Sequence, residues 1–428
     1  MRRSLAVVVA LASAVLSVAQ TPEAILDLVN GRTVEELVRL ANAQNGDLLA
    51  GRQLIEAAKG EALQAGLRAN PRLEIGGMKG ATGPMNSSML GASLPLELYH
   101  RRDRRVDVAR SLVDVSELQQ AERERQLRLQ VETKFGEILA LYRDLRFTTQ
   151  LLAVNREALR LTEARGRQGT APTLDGDLLR VEVNRIEAMK SGVEMKVGVA
   201  MLELKSLAGL EPEDPLQLKG SLEFAPSVLT PAEAAAHVRD TRPDVLAARA
   251  MEAVAGAELK KAEAEGKLDA TLSAAYQRAD SGFGLRGLSE AGDLRRIQEV
   301  FHQLSVGVSI ALPVRNRNQG AMAAAAAGVT AARRRRDYAE LIARREIAAA
   351  FLARDKAREG LEIYRAGVLQ QARKNLTVIR RVQELGRTQL LDVIAEQRRL
   401  IDVEMGYTEA LSRYYQADVR LRIAASVN

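Results

Sequence analysis

Gly282, Gly284 and Gly287 have the G-x-G-x-x-G spacing that lets a backbone approach a dinucleotide pyrophosphate. That chemistry needs a strand leading into the first glycine and a helix opening at it. Here the glycines fall between two short alternating segments, so they predict a flexible loop. Arg333 to Arg336 form a basic run of the kind that binds nucleic acid. The run lies in an Ala-rich helical stretch of a chain with an export signal. It therefore reads as a solvated helix face or an interchain ion-pair strip, and no nucleic-acid partner is expected. Histidine occurs at positions 100, 237 and 302, too scattered for a His-rich metal site. His100 and His302 flank strand ends as polar boundary residues. Cysteine is absent, which excludes disulfides, thiol catalysis, Cys-bound zinc and a lipid-modified N-terminal Cys. No Ser/His/Asp set or carboxylate pair sits at a constrained turn. The chain is read as no enzyme, with no cofactor and no metal site.

The elements that carry these residues are long. The chain has 428 residues, 46% hydrophobic and 27% charged, with a net charge of +7. Aromatics make up 3%, with no Trp, which disfavours a deep walled pocket. Ala, Leu, Arg and Glu dominate, which suits long helices. Arg2-Arg3, an apolar run over 5–16 and Ser17-Val18-Ala19 read as a signal peptide over residues 1–19. No later segment carries the roughly 18 uninterrupted apolar residues of a membrane helix. Any membrane crossing therefore falls to strands.

Residues 34–68 are predicted helical with a break at Asn45-Gly46, and Asn70-Pro71 is a turn signal. Strands are predicted at about 72–79 and 88–98, with Leu90 and Leu94 on one face. A helix of about 60 residues follows, roughly 90 Å long. The plan then repeats. Helix over 231–266 breaks at Arg242-Pro243-Asp244, strands come at about 268–277 and 303–313, and helices cover 321–384 and 389–425. Leu272 lies on the apolar side of the third strand, and Val306, Val308 and Ile310 on that of the fourth. Ser305, Gly307 and Ser309 alternate with the latter. The halves superpose as residues 20–220 and 221–428. Pro95 matches Pro313, Gly169 matches Gly386, and Asp177 matches Asp392 if the first turn carries two extra residues.

Four strands cannot close a barrel, and open edges cannot sit in lipid. A helix of this length also needs a partner along its whole course. An oligomeric tube answers both problems.

Asn70-Pro71-Arg72-Leu73, Arg242-Pro243-Asp244 and Pro313 with Arg317-Asn318-Gln319-Gly320 carry a resemblance to the TolC family of outer membrane factors. The branch most resembled serves heavy-metal resistance-nodulation-division pumps. The resemblance implies a mainly α fold with a small membrane β-barrel: four strands per chain and a 12-stranded barrel in a homotrimer, with a periplasmic helical barrel. It implies a passive exit duct in the outer membrane. The duct would be served by a periplasmic adaptor and an inner-membrane transporter, and heavy-metal cations are possible cargo. The same chain features fit a type I protein or polysaccharide export duct, and a soluble periplasmic coiled-coil protein is a third reading. Departures are the missing Cys, a weak aromatic girdle and Tyr99-His100-Arg101-Arg102 after the first strand pair.

The resemblance assigns adaptor docking to the helix-reversing tips, Gly169-Thr170 and Gly386-Arg387; the plain alternative is two helix C-caps. It also places Asp392 at a periplasmic constriction. There a ring of acids, linked to Arg387 or Arg399 and supported by Glu396, would attract cations. Asp177 is a second gate candidate. The alternative for Asp392 is a helix cap, favoured by the N-terminal dipole. Leu90, Leu94, Leu272, Val306, Val308 and Ile310 are expected to face lipid, and Ser305, Gly307 and Ser309 the lumen.

Overall fold

The computed structural model describes residues 25–426 except 82–85, 171, 225, 227–228, 232 and 235–239. The expected signal peptide and His237 lie outside the described residues. The elements in order are α1 (Val34–Gln44), α2 (Gly46–Gly66), β1 (Arg72–Lys79), β2 (Asn86–Pro95), α3 (Arg101–Arg167) and α4 (Thr173–Ala208). Then come α5 (Pro243–Glu265), β3 (Asp269–Leu288), β4 (Leu294–Ala311), α6 (Gln319–Ile363), a π-helical turn (Tyr364–Val368), α7 (Leu369–Glu384) and α8 (Leu390–Ala424). Contacts gather them into two compact units. One holds the described residues within Met1–Gly46, Gln126–Val228 and Ala349–Ile423, the other those within Asp47–Arg125, Leu229–Ala348 and Ala424–Asn428. Each unit draws on both sequence halves.

The helix limits follow local chemistry. Thr33 and Glu36 form a reciprocal capping box at the start of α1, and Asn45 takes an extended conformation that ends it. Arg242 is extended, as a residue before proline must be, and Pro243 opens α5 where no amide proton is needed. The predicted helix over 321–384 is interrupted by the π turn, inside which Gly367 has φ 141°.

The sheet unit holds one antiparallel sheet in the order β1-β2-β3-β4. β1 and β2 lie close to their expected limits. β3 and β4 do not: they run to Leu288 and from Leu294, well beyond 277 and 303. The expected glycine-rich loop is therefore a hairpin arm, closed by Ser289 N–H to Asp293 O at 2.9 Å. Gly282 and Gly287 lie in paired strand, with a register shift between Gly282 and Arg286. Glycine lowers strand propensity, but pairing against β4 supplies ladder partners on both sides of that shift, Gly282 with Gln298 and Gly287 with Arg295. No helix opens at these glycines; β4 follows, so the dinucleotide motif has no structural counterpart.

Two joints tie the strands to helices. After β2, Arg102 Nε donates to Gly66 O at 2.6 Å and Arg105 Nε to Ala65 O at 2.9 Å, satisfying carbonyls left open at the end of α2. Arg101 does the same beyond α5, donating to Lys267 O at 2.7 Å, and pairs with Asp269 at 3.0 Å. After β4, Asn318 adopts φ 60° and its Nδ2 donates to Ala262 O at 2.9 Å. Arginines at one joint and an asparagine at the other thus perform one task, capping the C-terminus of the preceding helix.

The second unit is helical. Leu151, Leu152, Val183, Ile186 and Ile401 form a core shared by α3, α4 and α8. Ala372, Leu376, Val393 and Leu400 pack α7 on α8.

Candidate functional site

The sheet register sorts side chains into two chemically distinct faces. Paired residues share a face. One face carries the rows Ile310–Ala270, Val308–Leu272–Leu94, Val306–Ala274–Ala92–Leu73 and Leu304–Tyr276–Leu90–Ile75. The other carries Ser309–Thr271–Pro95, Gly307–Ser273–Ser93–Arg72, Ser305–Ala275–Gly91–Glu74 and Gln303–Gln277–Met89–Gly76. All six residues expected to face lipid lie on the first face, and Ser305, Gly307 and Ser309 on the second. Leu90, Leu94, Leu272, Val306, Val308 and Ile310 are exposed in the single chain, Val306 at 73%. Such a contiguous apolar face is a surface built to be covered.

The helical unit carries the two tips. At each, the chain reverses through a glycine with φ 69°, Gly169 and Gly386. Thr170 N–H reaches back to Arg165 O at 3.0 Å and Gly169 N–H to Gly166 O at 3.0 Å. Arg387 N–H reaches Val382 O at 3.1 Å and Gly386 N–H Gln383 O at 2.8 Å. Both are Schellman caps, which require the left-handed glycine. A Cβ on either glycine would meet open space, so the constraint is conformational and each tip is free of neighbouring side chains at that point.

Asp392 sits in the first turn of α8. Its Oδ2 accepts from the Gln389 backbone N–H at 3.2 Å and from the Thr388 hydroxyl. The carboxylate thus caps the helix, and its partners are Thr388 and Gln389 rather than Arg387 or Arg399. Arg399 instead donates to Glu396 at 3.1 Å. The tips also correct the repeat alignment. α4 begins at Thr173 and α8 at Leu390, each four residues after its tip glycine. Asp175, in the first turn of α4, is therefore the counterpart of Asp392. Asp177 lies two residues further on, 67% exposed and paired with Arg180 at 2.9 Å. The two turns have the same length, and matching Asp177 required two extra residues that the structure does not contain.

Sequence inspection did not single out the buried acids. Glu182 of α4 has no exposed side-chain surface. It is held by Arg185 at 2.6 Å and by Arg398 of α8 at 2.8 Å. Burial alone would raise its pKa, but the two guanidinium groups hold it below the ordinary value. Glu404 of α8 is likewise buried and takes Arg373 of α7. In the sheet unit Arg242 is 1% exposed and bridges Asp244 and Glu346, each at 2.6 Å. Of the arginine run, Arg333 and Arg336 both pair with Glu252 of α5, at 3.3 and 2.7 Å. Ion pairing within the unit therefore uses half of the run expected to be a solvated face or an interchain strip.

One unit carries long paired helices whose reversing tips are capped by glycine, and the other carries a small sheet with one greasy face. Residues 37–210 match the family model described as outer membrane efflux protein. A membrane protein from Pseudomonas aeruginosa has the same arrangement, with a TM-score of 0.74 at 21% identity over 92% of this chain and 93% of that one. The crystal structure of CusC superposes with a TM-score of 0.75 at 17% identity, covering 94% of each chain. The fold is the one these two structures share. Among curated sequences, the cobalt-zinc-cadmium resistance protein CzcC of Cupriavidus metallidurans is 23% identical over 387 residues, 90% of this chain and 88% of that one.

Proposed function

We propose that this chain is the outer-membrane channel of a tripartite efflux system, a passive duct and not an enzyme. The observation that carries the reading is the four-row apolar face, set opposite a face of Ser, Thr, Gly and Gln on the same strands. Three copies close the sheet into a 12-stranded barrel with the apolar rows toward lipid. The helical part lies in the periplasm and meets a periplasmic adaptor and an inner-membrane transporter. Heavy-metal cations are the proposed cargo and a resistance-nodulation-division pump the proposed partner, supported by the likeness to CzcC along nearly the whole chain.

The adaptor docks on the tips Gly169-Thr170 and Gly386-Arg387. Replacing Gly386 by Trp forces a bulky residue into a left-handed conformation. The variant is expected to reach the outer membrane as a trimer yet lose efflux and crosslinking to the adaptor. Normal crosslinking would refute docking at this tip.

On a threefold axis, three copies of Asp392 form an acidic ring at the periplasmic opening, with Glu396 one turn behind and Arg387 beside it. The capping bonds from Thr388 and Gln389 fix the carboxylates of that ring, so one acid serves both roles. Asp177, displaced from the equivalent place by two residues, is at most an outer member. Asp392→Asn keeps an acceptor for the cap and removes the charge. Reconstituted channels of this variant are expected to lose cation selectivity and block by multivalent cations, with the trimer intact. Unchanged selectivity would leave Asp392 as a helix cap alone.

A further inference from the structure

Beyond the Leu304–Tyr276–Leu90–Ile75 row the same sheet face turns from apolar to cationic. The next row is Gly77–Ser88–Arg278–His302, and the one after it Lys79–Asn86–Asp280–Val300. Tyr276 closes the apolar rows, with its hydroxyl 2.6 Å from His302 Nδ1, and Arg278 is met by Asp280 at 3.3 Å. Further out, Arg286 stands directly opposite Arg296 across the β3–β4 ladder. Strand alternation keeps Arg296 on the face of His302 and Val308. Like charges directly opposite destabilise a strand pair. Both arginines are exposed, and neither has an ion-pair or hydrogen-bond partner among the described residues. A facing pair of unneutralised guanidinium groups, continuous with a lipid-contacting face, is complementary to phosphate, which the planar fork binds in bidentate fashion.

Height selects the source of that phosphate. The helices α2, α3, α5 and α6 all attach at the Arg72, Pro95, Asp269 and Ala311 end of the sheet. With the helices in the periplasm, the hairpins point to the outer leaflet. Arg296 lies eight residues beyond Leu304, roughly 27 Å along the strand and about 20 Å in height at the tilt of a membrane barrel. A phospholipid headgroup layer extends only about 6 Å past the hydrocarbon. We propose that Arg286 and Arg296 bind the saccharide-borne phosphates of a phosphorylated glycolipid in the outer leaflet. This rests on the outer-membrane reading above.

The full-length protein is reconstituted in phosphatidylethanolamine vesicles carrying one of three lipids. These are lipopolysaccharide with a phosphorylated core, the same lipopolysaccharide with its core dephosphorylated, and phosphatidylglycerol. Retained lipid is counted by native mass spectrometry. The wild type is expected to retain the phosphorylated glycolipid about tenfold over the dephosphorylated one, the size of one charge-assisted hydrogen bond. The Arg286→Gln/Arg296→Gln protein loses the preference. The Arg286→Lys/Arg296→Lys protein, with charge but no fork, keeps part of it. Phosphatidylglycerol is retained equally by all three. Removing the arginines relieves repulsion, so folding is not at risk. A wild type that inserts but shows no preference overturns the inference alone, as does a Gln variant with undiminished preference. A wild type that inserts in none of the vesicles overturns the outer-membrane reading with it.

Discussion

Val308→Arg is expected to destabilise the folded channel by about 2–4 kcal/mol, the cost of a cation on the lipid face near the bilayer midplane. Ser309→Arg, one residue on, is expected to cost far less and to change conductance instead. The contrast follows from register alone. Val308 pairs with Leu272, and Leu272 with Leu94, whereas Ser309 pairs with Thr271. One position shares its face with aliphatic side chains and its neighbour with a hydroxyl. Equilibrium unfolding from lipid vesicles measures both. Equal penalties would contradict the assignment of outside and inside.

The second large effect is in the helical unit. Replacing both Arg185 and Arg398 by Ala leaves Glu182 buried without a cation. Removing the partners of a buried charge costs about 3–5 kcal/mol at neutral pH. The pH dependence should also change sign. In the wild type the Glu182 pKa is depressed, so its contribution is present above the unfolded value and lost as pH falls. Without the arginines burial prevails, the pKa rises above the unfolded value, and stability is regained as pH falls and the acid is protonated. Thermal unfolding across the acid range reads this directly. A variant that loses stability in parallel with the wild type on acidification would show that the arginines do not hold the charge.

Much of this architecture is legible in the sequence because its signals are long and periodic. The alternation from Gln303 to Leu312 identifies a strand and its greasy face without any partner. The proline-poor run before Arg167 can only be a long helix. Residues 278–302 were not legible as strand because their composition is glycine-rich and charged, and their pairing is non-local: Gly282 is a strand residue only because Gln298 lies opposite. Sequence comparison matches Asp177 and not Asp175 to Asp392 because it weighs the surrounding letters. The chain instead counts residues from the left-handed glycine that ends each helix. The Arg242 bridge to Glu346 spans 104 positions, a distance over which no local pattern pairs an acid with a base. The tips were legible as glycine-bearing reversals, whereas their Schellman bonds depend on backbone angles that only the fold displays.

In the proposed channel a single chain is incomplete. Among the described residues β1 and β4 each have a neighbour on one side only, and edges of that kind cannot be left open in a bilayer. The most direct test is the mass of the complex extracted from the membrane in mild detergent, measured with circular dichroism on the same sample. The expected result is a particle of three chains that loses its strand signal when driven to monomers. A stable monomer with strand and helix content intact would contradict the account.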